Sequence, residues 1–234
     1  MSGEETRVGH FPSPVLVKLL LSCVQEAQSV LELGCGSGDN IGLVIDNFKC
    51  DYSAMDVDAS AIHDAKRRYP SISTSSLHVA DFTKPWDIEG KFDLIFDRAS
   101  VSHNCRRDIR SCVDSIFNHL VPGGLFIGID WFSISHSEFR YGRGKMVDDE
   151  NTFTNYPDGQ FKDCGKVHFT SEEEIRDIFA AFAPYCLQER IVRRTYGKGL
   201  SFDAGGCAAI NISPYFDGCQ YQSAVFDLVM RKAQ

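Results

Sequence analysis

Three glycines, Gly34, Gly36 and Gly38, close the apolar run Val30-Leu-Glu-Leu33 and open the segment Gly42 to Phe48, which has a helical pattern. A glycine-rich turn between a strand and a helix lets the backbone bend tightly and approach a ligand. About twenty residues on, Asp56 ends a second apolar run, Tyr52 to Val57, where an acid can accept hydrogen bonds from both ribose hydroxyls. A dinucleotide fingerprint needs a further glycine at position 39, and the chain has Asp39 there. The pattern therefore favours a nucleoside without a pyrophosphate. Three histidines, His103, His136 and His168, are candidate proton acceptors, because imidazole titrates near neutrality.

The remaining elements place these residues at one edge. Further strand patterns run over Ser76 to Ala80, Phe92 to Phe96 and Leu125 to Ile129. Ser13-Pro14 starts a helix over 13–25, and a helix over Ser60 to Tyr69 stops at Pro70. Ile109, Val113, Ile116, Phe117 and Leu120 give an apolar helical stripe ended by Pro122-Gly123-Gly124. Alternating strands and helices predict parallel βαβ units with right-handed crossovers, and a ligand crevice at the carboxyl ends of the strands. Thr170-Ser-Glu-Glu173 reads as a capping box for a helix carrying Ile175, Ile178, Phe179 and Phe182. Two final strands are expected over Gln188 to Tyr196 and Ala224 to Met230. The segments 133–166 and 197–221 read as insertions in a single domain spanning 1–234. Trp131, Phe132, Phe139 and Tyr141 suit either an acceptor pocket or the core of the first insertion.

Composition narrows the function class. The 234 residues are 43% hydrophobic and 24% charged, ordinary for a globular chain able to bury a core. A formal charge of -8 argues against a nucleic-acid partner, which usually meets a basic face. No secretory signal or membrane span is expected, and nine scattered cysteines fit a reducing cytoplasm.

The ordered set Glu32-Leu-Gly-Cys-Gly-Ser-Gly38, Asp56, Asp81-Phe82, Phe92-Asp-Leu-Ile-Phe-Asp97 and Leu120-Val-Pro-Gly-Gly resembles class I S-adenosylmethionine-dependent methyltransferases. The resemblance implies a doubly wound, mostly parallel seven-stranded α/β sheet with helices on both faces and the last strand antiparallel. It also implies that S-adenosylmethionine is the cofactor and S-adenosylhomocysteine the product. The implied cofactor residues are Glu32, Gly34, Cys35, Gly36, Gly38, Asp56, Val57, Asp81, Phe82, Asp97 and Arg98, with Asp81 on the adenine amine and Phe82 on its ring. Asp97-Arg-x-x-x-x-His103 is similar to the loop of small-molecule methyltransferases of the tellurite and thiopurine type, with Ala99 replacing glycine. The Asp-Arg-Ala-x-x-x-His-Asn stretch and Gly128-Ile-Asp-Trp-Phe-Ser133 are similar to bacterial methyltransferases of uncertain substrate, some of them near surface-sugar genes.

Base-modifying signatures are missing: no Pro-Pro-Tyr follows Asp97, and no Pro-Cys pair stands at Cys105. Asp130-Trp131 replaces the Asp-Asn pair of metal-dependent catechol-type enzymes, so no metal is expected. The resemblance thus points to methylation of oxygen or nitrogen on a small polar acceptor, a sugar being one candidate, with His103 or His136 as base. Protein or peptide methylation, or an inactive S-adenosylmethionine-binding module, are the alternatives.

Overall fold

The computed structural model describes residues 12–195 and 220–233. The second expected insertion, as far as residue 219, therefore lies outside the described residues.

Among the described residues seven strands form one sheet in the order β3-β2-β1-β4-β5-β10-β9. They are β1 (Ser29–Leu33), β2 (Asp51–Asp56), β3 (Leu77–Val79), β4 (Phe92–Arg98), β5 (Leu120–Phe132), β9 (Ala183–Thr195) and β10 (Gln220–Arg231). The first five pair in parallel, while β10 runs antiparallel to both β5 and β9. The last strand of the chain is thus the antiparallel one, inserted between β5 and the edge strand β9.

The central strands read as continuous apolar runs because both faces are covered. Leu31, Leu33, Ile95 and Phe126 pack with Ile109, Val113 and Ile116 of α4 (Arg106–His119) and with Ile175 and Ile178 of α6 (Glu172–Ile178). Val30, Leu94, Phe96 and Ile127 pack on the other face. There they meet Leu16 and Leu20 of α1 (Pro14–Cys23), Ile41 and Val44 of α2 (Ile41–Phe48), and Ile62 and Ala65 of α3 (Ala59–Arg68). The chain walks outward from β1 to β3 and then returns to place β4 on β1's other side. That reversal opens a crevice beyond the carboxyl ends of β1 and β4.

Several boundaries differ from the sequence reading. Pro122-Gly123-Gly124 does not end α4, which stops at His119; it lies inside β5, where Gly123 takes a φ of 81° beside a register shift opposite Phe92. The end of α4 is satisfied from far along the chain: the Lys232 ammonium donates to the carbonyls of Phe117 and Leu120 at 2.7 and 2.9 Å. A cation at a helix carboxyl end is favoured, and local sequence gives no sign of it. Ser13 occupies the N-cap of α1 without a side-chain hydrogen bond, and Pro14 alone sets the first turn.

The segment after β5 is not a bare loop. It folds into α5 (Ser137–Tyr141) and an antiparallel sheet of β6 (Lys145–Met146), β7 (Thr152–Thr154) and β8 (Val167–His168). Phe132, Tyr156, Phe161, Val167 and Phe169 form its own core, with Phe139 and Phe153 packed on it. Of the aromatic residues offered as a pocket wall, Trp131 is in the main core, Phe132 and Phe139 belong to this small core, and Tyr141 is exposed.

The cap of α6 is shifted by one residue from the expected box. Ser171 is the N-cap and its hydroxyl accepts from Glu174 N at 3.1 Å. Glu174 does not reach back; it holds His168 Nε2 at 3.0 Å and Arg106 Nε at 2.6 Å. Ser171→Ala should cost ~1 kcal/mol, the usual worth of an N-cap. Exposed Glu173, placed in the box by the sequence reading, should tolerate alanine within ~0.5 kcal/mol. Urea unfolding of both variants checks the assignment.

Candidate functional site

The glycine turn is fastened to β2. Gly34 N and Cys35 N both donate to Met55 O, at 2.8 and 3.3 Å, and Gly36 N donates to Asp56 Oδ2 at 2.8 Å. Gly34 has a φ of 68°, and a Cβ added there would lie 2.1 Å from Ser100 Oγ. Glycine is therefore required twice over, by conformation and by the approach of the loop after β4. Gly36, at φ 52°, has nothing within 4 Å of an added Cβ, so the turn presents open backbone to the crevice. Arg68 of α3 pins the far side, donating to Ser37 O at 2.7 Å and to Asp39 Oδ1 at 2.9 Å. This brace was not read from the sequence. Gly38 N closes the turn on Cys35 O, and the Cys35 thiol is buried, which pushes its pKa up.

Asp56 stands half-buried at the end of β2, with Oδ1 accepting from Asp58 N at 2.9 Å. Each oxygen carries one backbone hydrogen bond and keeps a lone pair for a ligand. Asp58, not Asp56, caps α3, accepting from Ser60 N and Ala61 N. Next to it Val57 is 65% exposed, an apolar platform at the crevice edge. Ala80 N donates to Asp56 O at 2.9 Å, bringing exposed Asp81 to the same edge. Asp81 Oδ1 accepts from Thr83 N and Oγ1 at 2.9 and 2.6 Å, while Oδ2 lies 3.8 Å from Lys84 Nζ.

Four of the expected cofactor residues make contacts within the fold. Glu32 is buried, with one oxygen accepting from Asn40 Nδ2 at 2.8 Å and the other from the Tyr52 hydroxyl. Burial pushes its pKa to about 7 against the opposing pull of these bonds. Phe82 belongs to the main core, with its ring 3.8 Å from where a Cβ on Gly34 would stand. Asp97 is also enclosed. Its Oδ1 accepts from Ser100 N at 2.9 Å and Val101 N at 3.1 Å, its Oδ2 from Trp131 Nε1 at 2.8 Å, and burial raises its pKa to about 7. Arg98 turns toward β5, with Nε 3.6 Å from Asp130 Oδ2.

The histidines separate into three environments. His103 is half-buried, and its Nδ1 lies 2.9 Å from Lys166 O. A carbonyl only accepts, so Nδ1 carries the proton and Nε2 is left with its lone pair. Burial lowers the pKa of His103, which keeps this neutral form at pH 7. His136 caps α5 through Nδ1, accepting from Glu138 N at 3.1 Å, and is completely enclosed by Phe161, Phe169 and Tyr221. Burial drives its pKa to about 3, and it does not reach the crevice as expected of a base. His168 bridges Thr152 Oγ1 and Glu174 at 2.8 and 3.0 Å, a packing and linking role.

Residues 30–124 match a family described as a methyltransferase domain. The fold is that of the class I S-adenosylmethionine-dependent methyltransferases. It is 27% identical over 169 residues to the tRNA N(3)-methylcytidine methyltransferase Mettl2 of Drosophila melanogaster, covering 67% of this chain and 49% of that protein. It is 25% identical over 122 residues to the dTDP-4-amino-2,3,4,6-tetradeoxy-D-glucose N,N-dimethyltransferase of Saccharopolyspora spinosa, covering 50% and 46%. The chain spans about half the length of the curated relatives it matches. Among solved structures, the N-methyltransferase NodS of Bradyrhizobium japonicum, in complex with S-adenosylhomocysteine, superposes with a TM-score of 0.59 at 16% identity. That match covers 94% of this chain and 85% of the other. Among the described residues no helix is long and apolar enough to cross a membrane.

Two predictions test the local physics of the domain. Ala99 holds a φ of 57° where similar loops carry glycine. A left-handed conformation costs a non-glycine residue ~1–2 kcal/mol, partly offset by the greater chain entropy of glycine. Ala99→Gly should therefore stabilise by up to ~1 kcal/mol and Ala99→Val should destabilise, as thermal unfolding can show. Glu32 has a raised folded pKa, so its contribution is present below about pH 4.5 and is lost as pH rises toward about 7. The stability of Glu32→Gln relative to the wild type should rise across that interval; a difference independent of pH contradicts the burial of an ionisable Glu32.

Proposed function

We propose that this chain methylates a nitrogen atom of a small, polar acceptor, such as an amino sugar or a nucleotide-bearing sugar. The observation that carries the reading is the juncture of Gly36 N, Asp56 and Asp81 at one crevice edge beside an exposed Val57. In it Asp56 accepts the two ribose hydroxyls, Asp81 takes the adenine amine through Oδ2, and Val57 covers one face of the base. The Gly34–Gly38 backbone lies along the amino-acid end. The cofactor supplies a methyl group on a sulfonium, already a strong electrophile.

What the protein adds is mostly position. Ser100 and Val101, held by Asp97, fix the loop that faces the transferable methyl. His103, on the same loop, is neutral with a bare Nε2 and accepts the proton that the acceptor nitrogen must lose. The choice of nitrogen is supported by the three relatives above, each named for methylation of nitrogen.

A second reading, methylation of a base in RNA, is favoured by the tRNA methyltransferases among the relatives, although the net charge of -8 opposes it. Transfer of radiolabelled methyl from S-adenosylmethionine to a panel of amino sugars and nucleotide sugars, beside unmodified tRNA, separates the two. Label in tRNA alone overturns the small-acceptor proposal.

Asp56→Ala should keep the fold and weaken S-adenosylhomocysteine binding by ~1–3 kcal/mol, the worth of charge-assisted hydrogen bonds. Calorimetric titration checks it, and unchanged affinity would remove Asp56 from the site. With the acceptor found, His103→Ala should lower kcat ~10²–10⁴-fold at unchanged S-adenosylhomocysteine affinity. An equal loss on His168→Ala would show that the effect is structural.

A further inference from the structure

Beside the reading just given lies a cluster that it does not use. Arg98 at the end of β4 and Arg190 on β9 approach the same carboxylate from different strands. Arg98 Nε is 3.6 Å from Asp130 Oδ2, and Arg190 Nη2 is 2.5 Å from Asp130 Oδ1. Arg190 is further fixed by Asp227, with Nε to Oδ2 at 3.0 Å and Nη2 to Oδ1 at 3.2 Å. Asp227 is almost fully buried and also accepts from Asp130 N at 3.3 Å.

We infer that Arg98 and Arg190 form an oxyanion-binding clamp for a carboxylate or phosphate group carried by the acceptor. This rests on the reading of the crevice as the site of methyl transfer.

Three features carry it. The first is place: Arg98 ends β4 and Asp130 lies two residues before the end of the adjacent strand β5, on the crevice side to which the methyl points. The second is spare capacity. The Arg98 side chain is 41% exposed, and its contact to Asp130, at 3.6 Å, is too long for a hydrogen bond. Arg190, by contrast, is locked by the buried Asp227 and is pre-oriented. One fixed and one adaptable guanidinium suit bidentate recognition of an oxyanion. The third is backbone: Asp130 holds a φ of 60°, which turns its carboxylate out of the strand alternation and between the two arginines. A non-glycine residue held in this region at a crevice is a frequent mark of a functional site. In the structure the Asp130 carboxylate holds the place between the two guanidiniums, and an incoming oxyanion takes up Arg98, which Asp130 meets only at 3.6 Å. Arg194, four residues on and on the same face of β9, adds a further cation to the strip.

Nuclear magnetic resonance of the arginine Nε–Hε signals tests this on the whole protein, free and saturated with S-adenosylhomocysteine. Inorganic phosphate and acetate are titrated at constant ionic strength, with sodium chloride as control. Phosphate or acetate should shift the Arg98 and Arg190 signals saturably, and chloride should not. Arg98→Gln should weaken that binding at least ~10-fold, the loss of one charge-assisted contact, with the melting temperature unchanged. Saturation by phosphate alone assigns a phosphate-bearing acceptor, by acetate alone a carboxylated one. Signals that follow ionic strength only, or an Arg98→Gln protein that binds like the wild type, overturn the clamp. The free-protein arm decides it even if S-adenosylhomocysteine fails to bind, an outcome that counts against the methyltransferase reading instead.

Discussion

The site depends on how closely two loops pack at the point where the sheet reverses direction. The Gly34 turn after β1 and the Ser100 loop after β4 touch at a distance that excludes any Cβ at position 34. Ser100 is held there by Asp97, whose buried carboxylate gathers two backbone N–H groups and the indole of Trp131. Trp131 lies at the end of β5, so one side chain joins the ends of β4 and β5 to the loop that faces β1. The crevice is shaped by this contact, and Asp56 and Asp81 take their places around it.

The same arrangement explains the ionisable groups buried under the crevice. Glu32 and Asp97 are both enclosed, and both have pKa values raised to about 7 by burial. Each has its oxygens engaged with donors, which limits the cost of enclosing them. They hold backbone and neighbouring strands, while the more exposed carboxylates of Asp56 and Asp81 stand at the strand ends.

Much of the fold was legible because its signals are local. The glycine turn, the apolar strands and the position of Asp56 follow from spacing, and the parallel order follows from strand–helix alternation. The site was less legible where distant residues decide it. Glu32 reads as a ligand contact, and its burial against Tyr52 and Asn40 shows only in the structure. His136 reads as a rim histidine until the insertion closes an aromatic core around it. Asp130, Arg190 and Asp227 stand far apart in sequence, and only the antiparallel placement of β10 beside β5 brings them together. Ala99 was visible as a departure from glycine, but its left-handed backbone was not.

The central claim is that the crevice takes an adenosyl ligand without a pyrophosphate. Calorimetric titration of the wild-type protein with S-adenosylhomocysteine and, separately, with NAD tests it most directly. One equivalent of S-adenosylhomocysteine should bind, and NAD should give no saturable heat. Binding of NAD with no binding of S-adenosylhomocysteine would contradict the account.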